Sequence, residues 1–210
     1  MSERATLPES LVPAVPGLAV LAYGLTIPDE DVRLLFGAVL SVLCFSCFAV
    51  VLLSRGSIRR WSVRRAVRRV AALTAGAVVA LFLFFSARAS LVGGYRWPPE
   101  SDSTVVTLMP ARLRLLPPSL SFPYGDCRDA MGRTCTDPVP REARSADEVA
   151  ALIGEWGPSD IRLPSRARHT STAILLFLYT AAAVQLILLF GILAMRRITP
   201  KVILEEFRQT

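Results

Sequence analysis

Charge is missing from three long stretches of this 210-residue chain: residues 34–53, 70–87 and 170–195 contain no Asp, Glu, Lys or Arg. They run for 20, 18 and 26 residues. A bilayer core of about 30 Å needs about 20 helical residues to cross, so each run is long enough to span. A soluble helix keeps one polar face toward water, and these runs keep none. With 52% hydrophobic residues and a mean hydropathy of +0.45, the chain is expected to be a multi-pass protein of the cell membrane.

Other scarcities narrow the chemistry. There is one histidine, His169, beside Arg166 and Arg168 at the start of the third run. A metal site needs further ligands, and none is evident around it. No Ser-His-Asp set and no glycine-rich phosphate loop stands out. No acid or base lies within the three runs, where proton relays and carriers place them. The expectation is a protein that is not an enzyme, with no catalytic, cofactor-binding or metal residues.

What the chain has in excess is arginine, 23 against a single lysine, a ratio that bilayer physics does not demand and that fits a GC-rich genome. The net charge of +7 is local, which argues against nucleic acid as a partner. Arg55, Arg59, Arg60, Arg64, Arg65, Arg68 and Arg69 crowd the link between the first two runs, and Arg196, Arg197 and Lys201 follow the third. Short basic loops stay on the cytoplasmic side. Both clusters therefore predict the same orientation, with residues 93–169 outside. That segment carries ten arginines and ten acids. The arginine link could also attract anionic lipid. Its charges surround the helical wheel, however, and a topogenic role suffices for it.

Residues 1–10 are polar and lack the basic start of a secretory signal. Prolines and glycines then break residues 11–28. The expectation there is an interfacial or re-entrant segment, with a fourth span as the alternative. Thr26, Pro28 and Asp29 make a plausible start for the first span. In the second run, Ala72, Gly76 and Ala80 form a small-residue face suited to close helix approach. It serves either packing within the chain or self-association. Gln185, the one amide of the third run, fits an interhelical hydrogen bond, with a pore-lining or substrate-contacting role as the alternative.

The external segment is long enough for a small domain, though one that size needs staples. Residues 103–109 read as a strand. In 111–116 Arg112 and Arg114 alternate with Leu113 and Leu115, the period of a half-buried strand. Gly93 and Gly94 read as a flexible exit from the second span. Ser145 and Glu148 form a capping box for a helix from 146 to about 156, stopped by Gly157 and Pro158. Tyr95, Trp97 and Trp156 suit headgroup anchoring, or packing within the domain for Trp156. Cys127 and Cys135 are expected to pair on an oxidising face.

The predicted architecture is an all-α transmembrane bundle of three spans, with an N-terminal interfacial segment and a small α+β extracytoplasmic domain between spans 2 and 3. Its divisions are 1–31 (N-terminal segment), 32–53 (first span), 54–69 (basic loop), 70–92 (second span), 93–169 (external domain), 170–195 (third span) and 196–210 (tail). The expected function is as accessory subunit or assembly factor of a membrane complex. Its partners are membrane lipid and another membrane protein, or a second copy. One alternative is an oligomeric membrane-perturbing or pore-forming protein. Another is a membrane thiol oxidoreductase using Cys44 and Cys47, which share a helix face. An apolar surround raises a thiol pKa and suppresses the reactive thiolate, which weighs against that reading.

Overall fold

The structure, a computed structural model, describes residues 30–116, 118–129, 131–136 and 141–196. The segment at 11–28 and its Thr26 cap lie outside the described residues. Helix α1 covers Glu30–Leu53, α2 Arg55–Arg60, α3 Val63–Leu91, α4 Ala146–Trp156 and α5 Ser165–Arg196. Five strands separate α3 from α4: β1 Val92–Arg96, β2 Thr104–Leu108, β3 Arg112–Leu115, β4 Pro118–Pro123 and β5 Glu142–Ala143. The described chain forms two compact units, one holding 33–82 and 178–196, the other 30–32 and 83–177.

Among the described residues two helices are long and apolar enough to cross a membrane, over Val63–Leu91 and Ser165–Leu193. In the first unit they run antiparallel. Val70 of α3 is buried with Leu189 and Ile192 of α5, and Trp61, Leu73, Leu186 and Leu193 pack around them. Nearly two turns further along α3, Gly76 faces the Gln185 side chain so closely that any Cβ would collide with its amide oxygen. The arginine-dense link is helical rather than an open loop. α2 and the first two turns of α3 take it up, with a break only at Trp61 and Ser62. Arginine is a good helix former, so nothing in the link opposes a helix except mutual repulsion.

The second unit is a small α+β module with two sheets. β1 and β2 pair antiparallel, Val92 opposite Leu108 and Arg96 opposite Thr104. β3, β4 and β5 form a three-stranded antiparallel sheet in that order. Gly93 and Gly94 lie inside β1 rather than in a flexible exit. A Cβ on Gly93 would stand 2.7 Å from the Ala146 carbonyl oxygen, so the missing side chain is what lets α4 lie against this strand. α4 begins where its cap places it: Ser145 Oγ accepts the Glu148 amide (3.2 Å), and Glu148 Oε2 accepts the Arg144 amide (2.7 Å). It buries Ala146, Val149, Ala150 and Ile153, a stripe at helical spacing. β3 departs from its expected half-burial. All four of its residues are exposed, because it is the edge of its sheet and no element among the described residues covers it.

Gly93→Ala should destabilise the module by about 1–3 kcal/mol through the backbone clash. Gly56→Ala, in open space within α2, should be neutral or stabilising by up to about 1 kcal/mol. Thermal unfolding of the full chain in mild detergent distinguishes the two.

Candidate functional site

Three backbone-anchored hydrogen bonds join the module to the ends of both long helices, all within the second unit. The Met109 amide donates to the Leu91 carbonyl at the end of α3 (2.9 Å). Ser171 Oγ in α5 donates to the Met109 carbonyl (2.7 Å). The Ala111 amide donates to the Ala167 carbonyl in the first turn of α5 (3.1 Å). Leu91, Leu108, Met109, Ala111, Ala167, Ser171 and Leu175 are all buried here. This collar was not anticipated from the sequence. Its one local signal is Met109 before Pro110, a strand ended by a residue without an amide proton.

From the collar the chain projects two exposed features. The first is the β3–β4 hairpin, whose register sets Leu113 opposite Leu120 and Leu115 opposite Pro118. One face of it is therefore apolar, and Leu115 and Leu116 at its end are 77% and 93% exposed. On the other face Arg114 is paired with Glu142. The second is the loop closed by Cys127 and Cys135, which stand at disulfide-bonding distance with Cα atoms 5.4 Å apart. Inside it the Asp129 carboxylate accepts the amides of Met131 (3.0 Å) and Arg133 (2.8 Å) and the Arg133 Nε proton (2.9 Å). These bonds, the Arg133 amide first, hold the Asp129 carboxyl below its ordinary pKa. The Arg128 amide also donates to the Asp160 carbonyl (2.8 Å). The result is a well-braced loop presenting Met131, 80% exposed.

Beneath these features the module is not fully satisfied. Tyr124 is buried, and its hydroxyl has no hydrogen-bond partner among the described residues; Ser121 Oγ is in the same position. Burial, and then the negative charge of Glu148, push the Tyr124 phenol above its ordinary pKa.

The other sequence-selected residues are distributed as follows. Ala72 is exposed, Gly76 half-buried against Gln185, and Ala80 buried. Arg55, Arg59 and Arg60 lie in α2, and Arg64, Arg65, Arg68 and Arg69 in α3, the last of them over the Trp61 ring at 6.0 Å. Arg196 ends α5, and Arg197 lies outside the described residues. Trp97 packs on Gly157, where a Cβ would stand 2.7 Å from its ring. Cys44 and Cys47 are in α1, and Cys47 is a free thiol. Among the described residues no group of three or more His, Cys, Asp or Glu side chains could hold a metal ion. No family model matches the chain, and no curated protein or solved structure shows significant similarity to it.

The bridge closes a loop of 8 residues' separation, so replacing Cys127 and Cys135 by Ser should cost about 2–3 kcal/mol; chemical denaturation with and without reductant measures this. Tyr124→Phe removes a buried hydroxyl that has no hydrogen-bond partner among the described residues. It should leave stability unchanged or raise it by about 1 kcal/mol, read as a higher melting temperature.

Proposed function

We propose that this chain is an integral membrane protein of three spans that acts through protein contacts of its external module, as accessory subunit or assembly factor of a membrane complex. The observation that carries the membrane part is exposure. Only 22% and 17% of the apolar windows of α3 and α5 are buried, and Phe82, Phe85, Phe177 and Phe190 face outward. A core helix of a soluble protein hides such a surface; here lipid is the natural solvent for it. α1 supplies the first span, its 24 residues reaching about 36 Å at 1.5 Å each. The arginines of α2 and early α3 are retained inside, and the module lies outside, where Cys127 and Cys135 oxidise.

The contact function follows from how the module presents its surface. An apolar hairpin face and a loop braced by a disulfide and by Asp129 are both exposed while their backbones are held in place. Recognition surfaces of this kind lose little entropy on binding. Gly76 is already occupied by Gln185 of the same chain, which favours packing within the chain over a seam for an oligomeric pore.

Two measurements test the proposal. A cysteine placed at Ser62 should resist an impermeant thiol reagent applied to whole cells, whereas one placed at Leu116 should react. Crosslinking in native membranes followed by mass spectrometry should join module residues to a second protein. Isolation of the chain as a lone monomer under mild detergent would remove the basis for the contact function. Labelling at Ser62 from outside would invert the topology.

A further inference from the structure

We propose that the segment following α5 docks on the first turns of α3, with Glu205 and Glu206 against Arg65, Arg68 and Arg69. The occupant is this chain's own residues 202–207, which lie outside the described residues. An open cleft of about 500 Å³ is present at the start of α3, lined by Ser62, Arg64, Arg65, Arg68, Arg69 and Ala72. Arg64 with Arg68, and Arg65 with Arg69, stand one helical turn apart, where like charges repel. A carboxylate set between two guanidinium groups offsets that repulsion, and the planar guanidinium fork takes both of its oxygens at once.

Helix packing brings the segment to the cleft. The last turns of α5 lie beside the first turns of α3: Leu189 and Ile192 are buried with Val70, and Leu193 and Trp61 pack around them. Ile192 therefore stands near the level of Val70. The helices are antiparallel, so α5 ends at Arg196, four residues on, near the level of Ala66. The chain leaves α5 at the height of the cleft. Helical spacing sets Arg65, Arg68 and Ala72 on the side of α3 away from Val70. Half the circumference of a helix about 10 Å across is an arc of about 15 Å. Glu205 follows Arg196 by nine residues, and nine extended residues reach up to about 30 Å.

The composition of the segment complements the surface. Residues 54–69 hold seven arginines and no acid, whereas residues 202–207, Val-Ile-Leu-Glu-Glu-Phe, hold two acids and no base. Leu204 and Phe207 flank the acidic pair. The aliphatic stems of the arginines, with Ala72 beside them, give such side chains an apolar bed. Docked in this way, the segment clasps the start of α3 to the end of α5 and adds to the buried contact around Val70.

Crosslinking within the full chain in mild detergent tests the docking, with Cys44 and Cys47 replaced by Ala. A short bismaleimide should join Ala72→Cys to Leu204→Cys within one chain. Phe85→Cys, exposed but farther along α3, should not be joined to Leu204→Cys. Adding Glu205→Arg and Glu206→Arg should lower the Ala72–Leu204 yield about fivefold, the worth of two exposed ion pairs. Raising salt to about 1 M, where the screening length is about 3 Å, should lower it in the chain that keeps both acids. Adding Arg68→Glu and Arg69→Glu to the reversed segment should restore the yield, which separates lost attraction from misfolding. Absence of the Ala72–Leu204 product, or a yield indifferent to both charge reversal and salt, would overturn the proposal. A product formed only between differently tagged copies would overturn docking within the chain in favour of a second copy's segment. The docking stands on helix packing and goes beyond the membrane reading: labelling of Ser62 from outside would invert that topology and leave this product in place.

Discussion

The module is held to its helices by one short strap, Leu108 to Ala111, and by the way it satisfies backbone groups at the helix ends. The last turn of any helix leaves carbonyls without intrahelical donors. At the end of α3 the Leu91 carbonyl takes the Met109 amide, and the Met109 carbonyl in turn takes the Ser171 hydroxyl. In buried surroundings an unpaired amide or carbonyl costs about 1–3 kcal/mol, so the strap is hard to displace. Because it continues β2 at one end and leads into β3 at the other, both sheets inherit its position. β1 follows α3 without a loop, and α4 lies on β1 across Gly93. The module's surface is thus built outward from the helix ends rather than tethered to them by flexible linkers.

Charge is distributed as unevenly as apolarity. The module balances its arginines with acids and uses some of them structurally, as in the Arg114–Glu142 and Arg133–Asp129 pairs. These pairs are largely exposed, so they order loops and strands more than they stabilise the fold. In the first unit the arginines of α2 and early α3 stand together on helices, with the Trp61 ring beneath Arg69. In the proposed orientation, the anionic cytoplasmic leaflet lies beside them.

Much of this was legible in the sequence wherever the signal is local. The uncharged runs mark the two long apolar helices, Ser145 and Glu148 mark α4, and the Thr- and Val-rich 104–108 marks β2. Cys127 and Cys135 were identifiable from their spacing in a polar stretch. What stayed hidden depends on neighbours distant in sequence. Gly93 and Gly94 looked like a hinge, because the demand for a missing Cβ comes from Ala146, more than fifty residues later. β4 carried no expectation from the sequence; Pro118 and Pro123 sit at its two ends, where the ladder tolerates them. The alternation in β3 suggested a buried face, yet alternation reports only that two faces differ, not that anything covers one of them. The arginine link looked like a loop because its charge pattern has no polar and apolar sides, although helix formation requires none when the exposed side chains are long.

The uncovered β3 edge bears on the contact function. An exposed edge strand with apolar residues invites pairing with another chain, and proteins usually blunt such edges with charge or proline. Arg112 and Arg114 charge one face of this strand, and Pro118 closes its hairpin, so uncontrolled edge pairing is opposed. The leucine face is left without any such protection. A domain this small has few apolar side chains to spare, and leaving Leu113, Leu115 and Leu116 in water forgoes burial worth about 1.5–3 kcal/mol for each fully covered leucine. Tyr124 and Ser121 press in the same direction, because the interior holds polar groups that have no hydrogen-bond partner among the described residues. A module that needs a disulfide and a double-ended strap while exposing its leucines is short of internal burial. Covering that face with a partner would supply what folding alone does not.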